Sequence, residues 1–386
     1  MFRIGQEEID AVARVIKSKE LFKVNGGELQ ETQNFEKELR SLFSINHALL
    51  MTSGQGALTS ALIGLGVGPG DEVIVPAYTY IATAMAVVAV GAMPIIAEID
   101  ETLMISPEDV ERKITDRTKV ILPVHMQGYP CDMDAIIEIA KKHSVAVLED
   151  ACQAVGGSYK GRRLGTIGDA GALSFNYFKV ITAGEGGALL TNNKSIFEKA
   201  LIYHDSSAIA YFGNQMEDFK TEPFCGTEFR TNEITAAIMR QQLKKLDGIL
   251  SDLRKNKKML MEELKQYFEF IPSNDADGDC STTLTLKFNS EAEARNLAEK
   301  TNGVTLPIDT GKHIYSNWDV IMNKKGAAHP LMDPFKMEAN RVPDYNADMC
   351  KNSLLLLSKT AHIGINPDWT ENDVKARAKE LINAIK

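Results

Sequence analysis

Short apolar runs alternate with longer helical stretches through the first two thirds of the chain. The helical stretches include 133–143, where apolar residues recur on one face at the spacing of an α-helix. Strands that alternate with helices are typical of a mostly parallel sheet that is covered on both faces and binds ligands at its strand ends. The pattern therefore predicts an α/β fold with one sheet built from seven runs, 47–52, 72–76, 94–99, 119–124, 145–149, 170–175 and 187–191.

The pattern changes in the last third of the chain. Residues 232–268 form one long helical stretch with leucines at about 3.6-residue spacing. A polar turn at 272–279 then leads into a predicted strand at 282–288, a helix at 291–301 and a terminal helix at 371–385. We therefore expect two domains, a large one at 1–248 and a small α+β domain at 249–386.

Charge and composition exclude several classes of function. The formal net charge of the 386-residue chain is −9, with no basic block, so we expect neither nucleic-acid nor membrane-surface binding. The first eight residues lack the apolar core of a signal peptide, and polar residues and a proline interrupt the longest apolar stretch, 81–99. The five cysteines show no metal-ligand spacing, which indicates reduced thiols and no metal site. The sequence thus predicts a cytoplasmic protein.

A lysine and an aspartate stand after two of the predicted strands. Asp150 directly follows the run 145–149, and Lys179 follows the run 170–175 and precedes the glycine-rich segment 184–187. Pyridoxal phosphate (PLP) requires such a pair, because a lysine forms the Schiff base and a carboxylate keeps the pyridine nitrogen protonated. A single lysine is usually a solvated surface charge, and a single acid at a strand end is usually a helix cap. The combination favours a PLP site.

The segment Ser53-Gly54-Gln55 ends a predicted strand and opens a helix. Small residues at a helix N-terminus let backbone N–H groups and a hydroxyl approach a phosphate dianion. The segment is therefore a candidate for the phosphate of PLP, although helix starts with Ser-Gly are common.

The chain resembles the DegT/DnrJ/StrS group of sugar aminotransferases, a branch of fold-type-I PLP enzymes, over nearly its whole length. The stretches that carry the resemblance are TSGQGAL (52–58), GPGDEVIVP (68–76), YTYIATA (78–84), EDACQA (149–154), SFNYFK (174–179) and RTNEITAA (230–237). The resemblance implies a fold-type-I structure, PLP as cofactor and a homodimer with active sites at the interface.

The resemblance also implies roles for individual residues. Lys179 would hold PLP and then act as general acid and base, and Asp150 would pair with the pyridinium. Ser174 would add a hydroxyl to the phosphate site, and Tyr80 would stack on the pyridine ring. Gln153, one predicted helical turn after Asp150, would reach the phenolic oxygen of the cofactor.

The sequence departs from the family pattern in two places. Family members commonly have an asparagine that reaches the PLP phosphate of the neighbouring subunit, and Glu228 occupies that position here. A carboxylate cannot donate to a phosphate. The compact Tyr-Pro-x-Pro-Leu-His segment is also absent, and residues 313–318 and 324–330 stand in its place. From this replacement we select His313, Tyr315 and His329 as candidate substrate residues.

The resemblance implies an aminotransferase that moves an amino group from glutamate to a keto sugar. The replaced segment is similar to that of enzymes acting on 8-oxo-3,8-dideoxy-octulosonate, a lipopolysaccharide sugar acid, and a nucleotide-linked keto-deoxyhexose is the alternative. Related PLP sugar 3-dehydratases carry histidine where Lys179 stands, and a sensor protein on this fold would need a DNA-binding module that the sequence lacks. The sequence does not decide the sugar, the stereochemistry at the new amine, glutamate against glutamine as donor, or the role of Glu228.

Overall fold

The computed structural model of the chain describes residues 3–23, 27–211 and 219–386. Met1 and Phe2, which belong to the N-terminal stretch and to the predicted large domain, lie outside these ranges. Thirteen strands are found within them: β1 (His47–Met51), β2 (Glu72–Pro76), β3 (Met93–Ala97), β4 (Thr118–Ile121), β5 (Ala146–Asp150), β6 (Ser158–Tyr159), β7 (Arg162–Arg163), β8 (Ala170–Ser174), β9 (Gly187–Thr191), β10 (Glu269–Phe270), β11 (Thr283–Lys287), β12 (Val304–Thr305) and β13 (Thr360–Gly364).

The main sheet contains seven strands in the order β1-β9-β8-β5-β4-β2-β3, each of which overlaps one of the seven predicted runs. The pairs β2/β3, β2/β4, β4/β5 and β5/β8 are parallel, whereas β9 runs antiparallel to both β8 and β1. Every residue of β2, β8 and β9 is buried, as expected for strands covered on both faces. The predicted α/β fold with a mostly parallel seven-stranded sheet is confirmed.

The helices lie between these strands and at both ends of the chain. They are α1 (Gln6–Ser18), α2 (Glu31–Phe43), α3 (Gly54–Gly64), α4 (Ala82–Ala89), α5 (Pro107–Lys113), α6 (Met133–His143), α7 (Lys194–His204), α8 (Glu233–Leu264), α9 (Glu291–Lys300), α10 (Asp319–Met322), α11 (Lys351–Ser358) and α12 (Glu371–Ala384). Side-chain caps fix several starts: Asp132 accepts from Ala135 N before α6, and Asn232 accepts from Thr235 N before α8. None of the helices in the described ranges combines the length and apolarity that crossing a bilayer requires.

The C-terminal part forms a second, antiparallel sheet in the order β10-β11-β13-β12, with α9 and α12 packed nearby. The predicted small α+β unit is therefore present. The predicted boundary after residue 248 falls inside α8, which continues without a break from Glu233 to Leu264. This helix packs on α1, α2, α12 and β11, so it belongs to both parts of the molecule.

Candidate active site

The predicted cofactor residues come together at one edge of the main sheet. β5 ends at Asp150 and β8 ends at Ser174, while the antiparallel strand β9 begins at Gly187 on the same edge. The strand register pairs Gly187 with both Ser174 and Met51, the last residue of β1. The carboxyl ends of the parallel strands therefore face the loops that carry the candidate chemistry.

Glycines allow the backbone segments at this edge to approach closely. A Cβ atom on Gly54 would lie 2.7 Å from Cys152 Sγ and 2.8 Å from Ser174 Cβ. A Cβ atom on Gly187 would lie 2.3 Å from the carbonyl carbon of Ser53. Ser53 caps α3 and accepts a backbone N–H of the first helical turn at 3.0 Å. Ser174 thus lies against the N-terminus of α3, and the exposed Gln55 is the second residue of that helix.

Asp150 is buried and held by two donors. Its Oδ2 accepts from Thr83 Oγ1 at 2.8 Å, and its Oδ1 accepts from Cys152 N at 3.1 Å. Thr83 Oγ1 is also 2.7 Å from the hydroxyl of Thr79, which is likewise buried. Two donors leave part of the acceptor capacity of a carboxylate unused. Burial and the neighbouring Asp150 raise the pKa of the Cys152 thiol well above its usual value, so this group stays protonated.

Gln153 follows Asp150 in a pair of turns, not in a helix, so the helical-turn argument for its position was wrong. The turn forms because Ala154 N donates to Ala151 O at 2.9 Å. The side-chain oxygen of Gln153 accepts from Gln127 N at 3.1 Å, which leaves its amide donors for other groups. Gln127 in turn accepts from Thr283 of the small sheet at 3.0 Å.

Lys179 lies in the turn after β8, half-buried between two exposed aromatic residues and the glycine-rich segment. Its backbone N–H donates to Asn176 O at 3.0 Å, and Tyr177 N donates to Gly184 O at 2.9 Å. Its ammonium opposes the rise in the pKa of Cys152 that burial causes, and it contributes to the lowered pKa of His313. The charge of Lys179 therefore acts both on the thiol beside Asp150 and on a histidine from the C-terminal part.

Tyr80, Lys312 and His313 form one cluster. The His313 ring is 5.4 Å from the Tyr80 ring, and Lys312 Nζ lies 5.5 Å from the centre of the same ring. Backbone pairing holds the cluster, because Thr79 N donates to His313 O and Ile81 N donates to Lys312 O, both at 2.9 Å. The residues just before α10 thus lie along the loop that follows β2.

His313 is neutral in this setting. Burial lowers its pKa, and the ammonium groups of Lys179 and Lys312 lower it further. Its Nδ1 lies 3.2 Å from Thr310 O, and since a carbonyl only accepts, Nδ1 carries the proton. The other ring nitrogen, Nε2, is then an acceptor.

The other two predicted substrate residues lie in different surroundings. Tyr315 is fully buried, and its hydroxyl donates to Ala347 O and accepts from Cys350 N, so it is used inside the fold. His329 lies on an exposed turn, where its Nδ1 accepts from Leu331 N at 3.2 Å. The structure brings His313 to the cluster with Tyr80 and Lys312, whereas no side-chain contact among the described residues brings Tyr315 or His329 there.

Glu228 forms an ion pair at the same edge of the sheet. Its carboxylate lies 2.6 Å from Arg230 Nη2, and Arg230 Nη1 lies 2.5 Å from Asp205. Phe229 O accepts from Thr52 N at 2.9 Å, which places the segment beside the end of β1. Arg230 is thus shared between Glu228, which replaces the family asparagine, and the buried Asp205.

Sequence reasoning gave no role to Thr83 or Lys312, which contact candidate site residues. Thr83 lies in a stretch that resembles the family, four residues after Thr79, and this helical spacing was the signal that could have paired them. His125 was also missed: its Nδ1 accepts from Cys131 N, so its Nε2–H donates to Glu149 at 3.0 Å. Glu149 further accepts three backbone N–H groups of residues 165–168, which makes this buried pair a structural support beside Asp150.

The described residues fit PLP. Asp150 supplies a buried carboxylate with spare acceptor capacity for a pyridinium, and the N-terminus of α3 with Ser174 supplies donors for a phosphate. Lys179 supplies an amine on a turn that is tied to the glycine segment. This combination of fold and residues defines a PLP-dependent enzyme of fold type I.

The chain belongs to the DegT/DnrJ/EryC1/StrS aminotransferase family, which it matches over residues 3–313. Enzymes of this family, and solved structures of the same fold, use PLP. The predicted class, a PLP-dependent sugar aminotransferase, is confirmed by this membership.

Individual proteins that are similar to this chain are consistent with membership of this family. The spore coat polysaccharide biosynthesis protein SpsC of Bacillus subtilis is 39% identical over 275 residues, which are 70% of this chain and 68% of SpsC. GDP-perosamine synthase of Caulobacter vibrioides is 40% identical over 220 residues, 56% of this chain and 57% of that enzyme, so the match spans little more than half of it. The solved structure of an aminotransferase from Psychrobacter cryohalolentis has a TM-score of 0.81 at 29% identity, with 98% of this chain and 96% of that chain covered.

Proposed function

We propose that the chain transfers an amino group from glutamate to a keto sugar, with Lys179 as the residue that holds PLP. The observation that carries the proposal is the meeting of three groups at one sheet edge: the amine of Lys179, the buried carboxylate of Asp150 and the N-terminus of α3. Lysine at this position also argues against the sugar 3-dehydratase reaction, for which histidine is expected there.

Each residue has a distinct task in this proposal. When bound, PLP supplies an electron sink for the bond that breaks at the substrate carbon. Asp150 keeps the pyridine nitrogen protonated, and Thr83 holds the Asp150 carboxylate in place at 2.8 Å. Lys179, as a free amine, would act as general base and take the proton from the α-carbon of the amino acid. As general acid it would then give that proton to the cofactor carbon that had been bonded to Lys179. The phosphate of PLP is bound by Ser53, Gly54, Gln55 and Ser174. Tyr80 covers the pyridine ring, and the side-chain amide of Gln153 donates to the phenolic oxygen of the cofactor.

A homodimer completes the site in this proposal. Phe178 and Tyr177, which directly precede Lys179, have 78% and 55% of their surface exposed in the single chain. The surface around the reactive amine is therefore open to water in a single chain. A second copy of the chain would cover these aromatic side chains and exclude water from the amine. Arg230, which Glu228 shares with Asp205, offsets only part of the repulsion that Glu228 would exert on a nearby phosphate.

For the acceptor we propose 8-oxo-3,8-dideoxy-octulosonate, as a step in lipopolysaccharide synthesis. The family match ends at residue 313, where the replaced segment begins, so the divergent part of the chain starts at the substrate side of the site. Lys312 and His313 supply a cation and an acceptor there, which suit an acidic, hydroxyl-rich sugar. A nucleotide-linked keto-deoxyhexose is the second candidate, because one similar protein is a GDP-perosamine synthase.

A lysine variant tests the role of Lys179. The Lys179→Ala protein should lose the visible absorbance of the bound cofactor and should transaminate slower by several orders of magnitude, since its acid–base group is gone. Lys379→Ala, an exposed lysine on α12 far along the chain from the candidate site residues, is the matched control and should behave like the wild type. Undiminished turnover of the Lys179 variant would rule out the assignment.

A substrate panel tests the acceptor. With glutamate as donor, the protein should convert 8-oxo-3,8-dideoxy-octulosonate to the 8-amino sugar and release 2-oxoglutarate without any nucleotide. Parallel His313→Ala and His329→Ala variants separate the two predicted histidines, and the first should reduce kcat/KM more because His313 lies beside Tyr80. Amination of nucleotide-linked keto-hexoses alone would favour the second candidate.

A further inference from the structure

Lys312 is fixed at the mouth of the candidate site. Its carbonyl accepts from Ile81 N at 2.9 Å and from the indole N–H of the fully buried Trp318 at 3.0 Å. Its ammonium lies 5.5 Å from the centre of the Tyr80 ring, a distance at which a cation is attracted to an aromatic face. The backbone and the charge of Lys312 are therefore both held, although the side chain is exposed.

The positive charge of Lys312 is not balanced by an ion pair within the described part of the chain, and no acid acts on the neighbouring His313. Lys179 acts on the thiol beside the buried Asp150 and would be engaged with the cofactor, so the charge left at the mouth is that of Lys312. A cation without a paired acid at an open site attracts anionic ligands. The surroundings of Tyr80 are thus suited to a negatively charged group of a ligand.

The phosphate of PLP is not that group, because Lys312 lies on the other side of Asp150. The predicted phosphate site follows β1 and β8, whereas Lys312 pairs with the loop after β2. In the sheet, β5 and β4 separate β8 from β2. Three strand spacings of about 4.8 Å put these two strands about 14 Å apart. Lys312 therefore faces the side that the substrate would enter.

We propose that Lys312 binds a carboxylate of the substrate and so contributes to substrate selection. The carboxylate belongs either to the amino-acid donor or to an acidic keto sugar, and both would present the same chemistry to an ammonium group. Neutral His313, with Nε2 as acceptor, takes a hydrogen bond from a neighbouring hydroxyl or amine and does not compete for the carboxylate. The proposal rests on the proposed function, since it assumes that Lys179 is engaged with the cofactor.

Binding of two unreactive acids to the PLP-loaded protein tests the proposal. Glutarate carries the carboxylates of glutamate without the amine, and 3-deoxy-octulosonate carries the carboxylate of the sugar acid without the 8-oxo group. Titration calorimetry should show that Lys312→Met weakens at least one of them about tenfold, because one charge-assisted hydrogen bond is lost. Lys312→Arg should restore most of the affinity, and Lys379→Met, an exposed lysine on α12, is the matched control.

The pattern across the two acids identifies the source of the carboxylate. A loss for glutarate alone assigns Lys312 to the donor, a loss for 3-deoxy-octulosonate alone assigns it to the acceptor, and a loss for both assigns it to a shared subsite. In each case KM of the matching substrate should rise about tenfold with kcat little changed, since Lys312 binds without touching the bond that breaks. If both acids bind Lys312→Met and Lys379→Met equally, or if neither acid binds the wild type, the proposal is overturned.

Failure of the proposed function gives a different result. A wild-type protein that binds these acids but does not convert its cofactor with glutamate would contradict the function and leave the Lys312 subsite standing.

Discussion

Removal of the Thr83 hydroxyl is the most direct test of how the Asp150 carboxylate is held. Thr83 Oγ1 donates to Asp150 Oδ2 at 2.8 Å and lies 2.7 Å from the Thr79 hydroxyl, and all three side chains are buried. Thr83→Val keeps the shape of the side chain but removes the donor. The carboxylate then retains one hydrogen bond, from Cys152 N at 3.1 Å, and is free to turn.

The magnitude follows from the kind of hydrogen bond. A hydrogen bond to a charged group contributes about 1.5–3 kcal/mol, and about 1.4 kcal/mol corresponds to a tenfold change in rate. If this interaction keeps Asp150 in its productive position, Thr83→Val should slow the half-reaction with glutamate about ten- to hundredfold. Stopped-flow absorbance of the cofactor measures this rate directly, and Thr83→Ser, which keeps the hydroxyl, should restore most of it.

A structural role alone would give another outcome. The buried Thr79 hydroxyl also loses a partner in Thr83→Val, which should lower the free energy of unfolding by about 1–3 kcal/mol in urea titrations. A variant that is destabilised by this amount but reacts with glutamate at the wild-type rate would refute the reasoning.

Three further predictions follow from the site and the fold. Asp150→Asn should keep a folded protein, judged by circular dichroism, but slow proton transfer by several orders of magnitude, because a neutral amide does not keep the pyridine nitrogen protonated; normal rate constants would show that another acid has this task. Sedimentation should give a homodimer at twice the chain mass, and an active monomer would contradict it. Burial lowers the pKa of His362 to about 3, so the unfolded chain binds more protons between about pH 6.5 and pH 3 and stability falls as the pH drops through that range. In urea titrations at pH 5 and 7, His362→Gln should reduce this dependence by up to about 1.4 kcal/mol per pH unit, and an unchanged slope would show that other groups cause it.

The fold was predictable because its signals are local and repeated. Each strand of the main sheet is a short apolar run, and α6 has the bounds that its apolar periodicity and its Asp132 cap indicate. The end of the large domain was harder to predict, because α8 is amphipathic along its whole length and passes through the expected boundary. A periodic pattern defines a helix, but it does not say against which domain each turn packs.

The candidate site was predictable where one residue follows a strand. Asp150, Ser174 and Lys179 stand at or just after strands of one sheet, and parallel strands bring such positions to one edge. Gln153 was placed by assuming a helix where the chain makes two turns. Tyr315 was selected because it stands in the replaced segment, but its hydroxyl is used by two backbone groups more than 30 residues later in the chain. Such long-range contacts leave no periodic signal in a sequence.

Lys312 was not selected because an exposed lysine just before the replaced segment has the pattern of an ordinary surface charge. Its distinction comes from two non-local hydrogen bonds to its carbonyl and from the Tyr80 ring beneath its ammonium. The same arrangement separates two tasks in the molecule. Asp150 and the N-terminus of α3 are fixed by the large sheet, whereas Lys312 and His313 approach from the C-terminal side, where the family match ends. Substitutions from Lys312 onwards can therefore alter which substrate is accepted without disturbing the carboxylate and the helix N-terminus that would hold the cofactor.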